Sequence, residues 1–207
     1  MTETDGLVFV VDDDASVRDA VRALLNSVGF RAEVFGSTEE FAKFPRPETP
    51  SCLVLDVQLP GQTGIEFQEV LAEAGVRIPI IFVTAHGDVR MTSRAMRAGA
   101  IEFLTKPFQK DEFLGAIHQA LDCDRARRKE QEEISVLLAR QERLTSRERE
   151  VMALVVEGLL NKQIAGRLGI TEITVKIHRG RVMQKMEADS LPELVRMFER
   201  LKTYSQR

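Results

Sequence analysis

Five short apolar runs, each followed by a longer stretch of helical periodicity, fill the first 120 residues, and this alternation constrains the fold more than any other feature. Leu7-Val8-Phe9-Val10-Val11 is apolar at every position, the pattern of a strand buried on both faces. Cys52–Leu55 and Ile80–Val83 repeat that pattern, and Ala32–Phe35 and Ile101–Leu104, each interrupted by one glutamate, read as two further strands. Between and after them lie helical sets: Val17, Val21, Leu24, Leu25 and Val28, closed by Gly29; a short helix over Ser37–Phe44, capped by Ser37; Ile65, Phe67, Val70 and Leu71; Val89, Met91, Ala95 and Met96; and Phe113, Leu114, Ile117 and Leu121. Buried strands alternating with helices predict a doubly wound five-stranded parallel (βα)5 sheet. Functional groups in such sheets gather outside the carboxyl ends of the strands. Asp12, Asp13, Asp56, Thr84 and Lys106 all stand at or just past a predicted strand end.

The second part of the chain is different. Residues 122–143 hold no Gly or Pro and are dense in charge, so they can continue the fifth helix as a semi-rigid spacer. Ile134, Leu137, Leu138 and Leu144 hint at an apolar seam there, too short to establish a coiled coil. From Leu144 onward the periodicity is purely helical. Thr145 and Glu148 form a capping-box pattern before Val151, Leu154 and Val155, and Gly158 ends that helix. Asn161 is the expected cap of a second helix, Gly169 the turn, Thr171 the cap of a third, and Ser190–Lys202 a fourth. Two helices joined by a short Gly turn predict a helix-turn-helix. The chain therefore reads as α/β plus all-α: residues 1–121, a helical linker at 122–143, and residues 144–207.

Charge follows the same division. Residues 1–120 carry 11 Lys/Arg and 18 Asp/Glu, a net of −7; residues 121–143 carry six of each; residues 144–207 carry 12 and 8, a net of +4. A polyanion is the expected partner of the basic part. No run of about 18 apolar residues predicts a membrane span. Glu3 and Asp5 stand where a signal peptide would be basic, and Cys52 and Cys123 lack metal-type spacing. The expectation is a reduced, cytoplasmic protein.

Clustered carboxylates repel unless a cation sits among them. A hard divalent ion such as Mg²⁺ suits one or two carboxylates plus phosphate oxygens, and could clamp a phosphoryl group while a carboxylate attacks phosphorus. Lys106 can neutralise a phosphoryl oxygen and Thr84 can donate to another. Singly, each of these residues reads as an ordinary turn or loop residue. The run Asp12-Asp13-Asp14 offers two possible pairs; the strand ending at Val11 favours the first, leaving Asp14 to cap the first helix.

At this point residues 7–121 resemble the receiver domain of two-component response regulators. Val10-Val11-Asp12-Asp13, Leu55-Asp56, Leu59-Pro60-Gly61 with Gly64, Val83-Thr84-Ala85 and Lys106-Pro107-Phe108 carry the resemblance. It implies that Asp56 accepts a phosphoryl group from a histidine kinase. It implies Mg²⁺ on Asp13, Asp56 and the backbone carbonyl of Gln58, with Asp12 acting through water. It also implies that Thr84 and Phe103 switch together, that Lys106 contacts the phosphoryl group beside a cis bond to Pro107, and that the small Ala85 leaves the site open. An aspartyl-phosphate phosphohydrolase is the competing reading; it would need an acid two residues after Asp56, where Gln58 stands.

Residues 144–200 are similar to the four-helix DNA-binding domain of the LuxR/NarL/FixJ family, FixJ type being nearest. The matching segments are Leu144–Val151, Gly158, Asn161-Lys162-Gln163-Ile164-Ala165, Leu168-Gly169-Ile170 and Thr174-Val175-Lys176-Ile177-His178. On the third helix, Val175, His178, Val182 and Met186 fall on the core face, while Lys176, Ile177, Arg179, Gly180, Arg181 and Gln184 fall on or beside the outer one. Arg and Lys suit phosphates and guanine edges, and Ile suits a thymine methyl. The resemblance implies base reading by Lys176, Ile177 and Gly180, with Thr174, Arg179, Arg181 and Lys162 as further DNA contacts. Gly180 departs from relatives that carry a long polar residue there. The expected partners are double-stranded promoter DNA, RNA polymerase and, after phosphorylation, a second copy of the chain. A signalling adaptor without DNA binding is the third reading, and the basic helix-turn-helix argues against it.

Overall fold

A computed structural model describes residues 6–205. Glu3 and Asp5 lie outside the described residues. The chain forms two compact units, the first ending at Arg128 and the second starting at Lys129.

In the first unit, strands β1 (Leu7–Val11), β2 (Arg31–Phe35), β3 (Ser51–Asp56), β4 (Ile80–Thr84) and β5 (Glu102–Thr105) alternate with helices α1 (Ala15–Ser27), α2 (Thr38–Lys43), α3 (Gly64–Glu73) and α4 (Val89–Arg97), and α5 (Lys110–Glu142) begins in this unit and runs past its last residue. All pairings are parallel, in the order β2-β1-β3-β4-β5. Alternate side chains explain the continuous apolar runs: Phe9, Val11, Leu53, Leu55 and Phe82 enter one core, and Val8, Val10, Cys52, Val54, Ile81 and Val83 the other. Asp14 caps α1 as expected, accepting from the Ser16 amide, and Ser37 caps α2. β5 sits one residue later than the apolar run suggested: the Ile101 amide donates to the Ile80 carbonyl just before the strand, and the ladder with β4 runs on to Thr105.

The second unit packs α6 (Ser146–Val156), α7 (Asn161–Leu168), α8 (Glu172–Met186) and α9 (Leu191–Ser205) around Val151, Met152, Ile164, Val175, Val182, Met186 and Leu194. The Thr145–Glu148 capping box is present, and Gly169 makes the turn between α7 and α8 at φ 65°. Asn161 is not the cap of α7. It is the first helical residue; Leu160 takes the cap position, where its amide donates to Gln163 Oε1 at 2.7 Å. The longer Gln163 side chain reaches back to that amide, and this frees Asn161 for another partner.

Residues 122–142 are helical as expected, and three of their side chains, Asp124, Ile134 and Leu137, are buried. Asp124 is fully buried and accepts from the Ser51 amide at 3.0 Å, from Arg127 and from Arg128 Nε at 2.6 Å. It therefore roots α5 to the start of β3. Ile134, Leu137 and Leu144 are buried in the core of the second unit. The apolar seam thus serves that core. Asp124→Ala leaves the Ser51 amide without its partner. Hydrogen exchange at the start of β3 is expected to rise by about thirty-fold, the equivalent of about 2 kcal/mol, with no change in α8.

Candidate functional site

Strand register assembles the first site. Val11 pairs with Leu55, so Asp12 emerges beside Asp56; Asp56 pairs with Val83, so Thr84 follows; Thr84 pairs with Thr105, so Lys106 follows. The Lys106 ammonium stands 2.6 Å from Asp12 Oδ2 and 2.7 Å from Asp56 Oδ2. Asp12, Asp56 and Thr84 are buried, and Asp13 is exposed. The Lys106–Pro107 bond is cis.

Burial pushes the Asp12 carboxyl above its usual range, against the opposing pull of Lys106 and the Asp14 amide. Burial also works against the Lys106 ammonium, but Asp12 and Asp56 together raise it above the ordinary lysine value. Asp56 Oδ1 accepts from the Gln58 amide at 2.9 Å, which fixes the carboxylate's other oxygen. Carboxylate oxygens of Asp12, Asp13 and Asp56 lie within 4.8 Å of one another. A single ammonium cannot balance three carboxylates. An all-oxygen donor set with excess negative charge fits a hard divalent cation.

Thr84 Oγ1 contacts the backbone of His86 at 3.3 Å both as donor and as acceptor. These are long bonds, near the weak end of the range. Phe103 is half-buried, its ring centroid 6.0 Å from that of Phe82, and Ala85 is exposed.

Two glycines shape this site, for steric reasons that no local pattern around them reveals. A Cβ at Gly64 would lie 2.2 Å from the Asp56 carbonyl oxygen, so α3 can start against the end of β3 only with glycine there. A Cβ at Gly87 would lie 2.9 Å from Phe103 Cε1.

In the second unit Lys162, Lys176, Ile177, Gly180, Arg181 and Gln184 are exposed, as expected. Thr174 and Arg179 are not free on that face. Thr174 is held in the α8 cap, its Oγ1 2.8 Å from Thr171 Oγ1. Arg179 is half-buried and donates to Asn161 Oδ1 at 2.8 Å, which ties α8 to the first turn of α7. Sequence reasoning also missed the Glu148–Lys185 pair: Glu148 is buried and its Oε2 lies 2.6 Å from Lys185 Nζ. A capping-box glutamate gives no sign that its carboxylate also faces a lysine on another helix.

These two sites, on these two folds, are those of a DNA-binding response regulator, and the comparisons agree. The response regulator receiver domain matches residues 8–118, and the luxR family of bacterial regulatory proteins matches residues 142–198. The chain belongs to this family: it is a response regulator that controls transcription in a phosphorylation-dependent way. Nodulation protein W of Bradyrhizobium diazoefficiens is 50% identical over 198 residues, 96% of this chain and 87% of that protein. The transcriptional regulatory protein FixJ of Rhizobium meliloti is 40% identical over 194 residues, 94% of this chain and 95% of that protein. Among solved structures, the response regulator StyR is 50% identical with a TM-score of 0.83, over 95% of this chain and 99% of that one. Full-length FixJ from B. japonicum is 35% identical with a TM-score of 0.57, over 98% and 99%. Receiver domains of this family bind Mg²⁺ at the acidic pocket and take their phosphoryl group from a histidine kinase, and the luxR-type domain binds DNA. Among the described residues, no helix is long and apolar enough to cross a membrane.

Burial works against ionisation of Glu148, but Lys185 and the Thr145 amide outweigh it and hold the carboxyl below 4.5. A depressed folded value stabilises above the unfolded one and is lost as pH falls through the folded one. Glu148→Gln is expected to destabilise the second unit by roughly 2 kcal/mol at neutral pH. Circular-dichroism melts should show that deficit shrinking as pH drops below 4.5, the ordinary glutamate value.

Proposed function

We propose that Asp56 is the phosphoryl acceptor, and that its phosphorylation turns the chain into a promoter-binding dimer. The carrying observation is the Lys106 ammonium shared by Asp12 and Asp56 at the carboxyl ends of β1 and β3. One Asp56 oxygen attacks phosphorus of a phosphohistidine; the P–N bond breaks, and the imidazole leaves with the electron pair and takes up a proton. The Gln58 amide holds the second Asp56 oxygen during this step. Asp13, Asp56 and the Gln58 carbonyl would hold Mg²⁺, with Asp12 acting through water, and the ion would supply charge neutralisation for the transferring group. Lys106 then contacts the phosphoryl oxygens. Ala85 leaves room for them.

Thr84 gives up its two long contacts with His86 and donates to the phosphoryl group. Phe103 turns inward behind it. The site accepts once and signals, without turning over phosphate esters, because Gln58 offers no acid at the position a phosphohydrolase would need. In the second unit Lys176, Ile177 and Gly180 read bases, and Arg181 and Lys162 meet phosphates; Arg179 and Thr174 reach DNA only from the edges of that face. The partners are a histidine kinase, double-stranded promoter DNA, a second copy of the chain and RNA polymerase, all in the cytoplasm.

Beryllofluoride or acetyl phosphate is expected to raise promoter affinity and dimer content in wild type and to do neither in Asp56→Ala. Equal affinity with and without the phosphoryl mimic would overturn the switch. Lys176→Ala should weaken binding and lower the salt slope by about one, read from titrations at several salt concentrations.

A further inference from the structure

Helix α8 is apolar on two opposite faces. Val175, Val182 and Met186 fill the core of the second unit. On the other side Ile173 is 74% and Ile177 is 50% exposed, one turn apart. With Lys176 and Gly180 they form the i, i+3, i+4, i+7 stripe of one helix face. The core does not use this stripe. Helix propensity does not explain it either, since β-branched residues are poorer helix formers than alanine. Exposed apolar side chains are unremarkable when scattered singly, but an aligned pair needs a use.

Its surroundings limit what that use is. Lys176 and Arg181 are exposed on α8 beside it, and Lys162 is exposed in the first turn of α7. Gly180 continues the stripe with no side chain to hold the backbone away, and nothing lies within 4 Å of where its Cβ would be. Cations beside apolar groups match a surface with phosphates outside and methyls inside. The major groove is such a surface, and the thymine C5-methyl is its apolar group. Ile173 is the second residue of α8, and recognition helices bring their N-terminal residues to base edges.

We propose that Ile173 and Ile177 act as a pair reading two thymine methyls, so that each half-site carries two thymines at a fixed short spacing. This rests on α8 being the DNA-reading helix. Four residues of helix advance about 6 Å along the axis, against about 3.4 Å per base pair, so the thymines stand roughly two base steps apart.

Full-length protein treated with beryllofluoride selects duplexes from a random-sequence library. Each thymine of the selected half-site is then replaced by deoxyuridine, which removes the methyl alone. Two replacements are expected to weaken wild-type binding by about four-fold each, the effect of one buried methyl group. Ile173→Ala should abolish one of these losses and Ile177→Ala the other. The pair does not read methyls if deoxyuridine is neutral at every position in wild type, or if the losses persist in both variants. Failure to enrich any duplex would instead overturn the DNA-binding reading on which the pair depends.

Discussion

The Lys106 ammonium between Asp12 and Asp56 is the contact on which the first unit's chemistry turns. Two buried carboxylates at the ends of adjacent strands would repel, and each would favour its neutral form. The ammonium sets a positive charge within 2.7 Å of both, in a site where both carboxylates are buried. It arrives there only because the β4–β5 register sets Thr105 opposite Thr84 and releases the next residue toward the carboxyl rim. A one-residue slip of β5 would turn its side chains to the other face and carry Lys106 away from the carboxylates. The site is therefore a property of the sheet register rather than of any one loop. Gly64 belongs to the same constraint, because it lets α3 close against the Asp56 carbonyl.

The parallel sheet was legible for a physical reason. Strands covered on both faces must be apolar at every position, and that pattern survives in the sequence without tertiary information. Strand ends were less legible. Apolarity marks where a strand is buried, not where its ladder ends, and β5 shows the difference by running on to polar, exposed Thr105. The rim residues were legible because each lies within a residue or so of an apolar run. Asp124 was not. An acid in a charged helix reads as solvated, and only the Ser51 amide, 73 positions away, gives it a reason to be buried. Burial of a polar group is decided by a partner, and distant partners leave no local pattern.

Asn161 and Arg179 fail together, and for one cause. Asparagine's preference for caps is a local competition, and here Gln163 wins it by reaching back to Leu160. The released Asn161 side chain takes Arg179, which periodicity alone had assigned to the outer face. A helical wheel gives the direction in which a side chain leaves the backbone. It does not say where a long, flexible arginine ends.

Together these polar contacts do something the hydrophobic core of the second unit cannot. Val175, Val182 and Met186 hold α8 down, but apolar packing tolerates small rotations about the helix axis at modest cost. The Glu148–Lys185 pair ties α8 to α6 near one end, and Arg179–Asn161 ties it to α7 nearer the middle. Two directional contacts at different points along one helix fix its rotation as well as its position. A buried ion pair is weak evidence of stability in itself, since desolvation consumes much of its Coulomb energy. Its value here is orientational. Rotating α8 by one residue, about 100°, would replace Lys176 and Ile177 on the outer face with neighbours of different chemistry. A reading face can be specific only if the helix carrying it cannot turn.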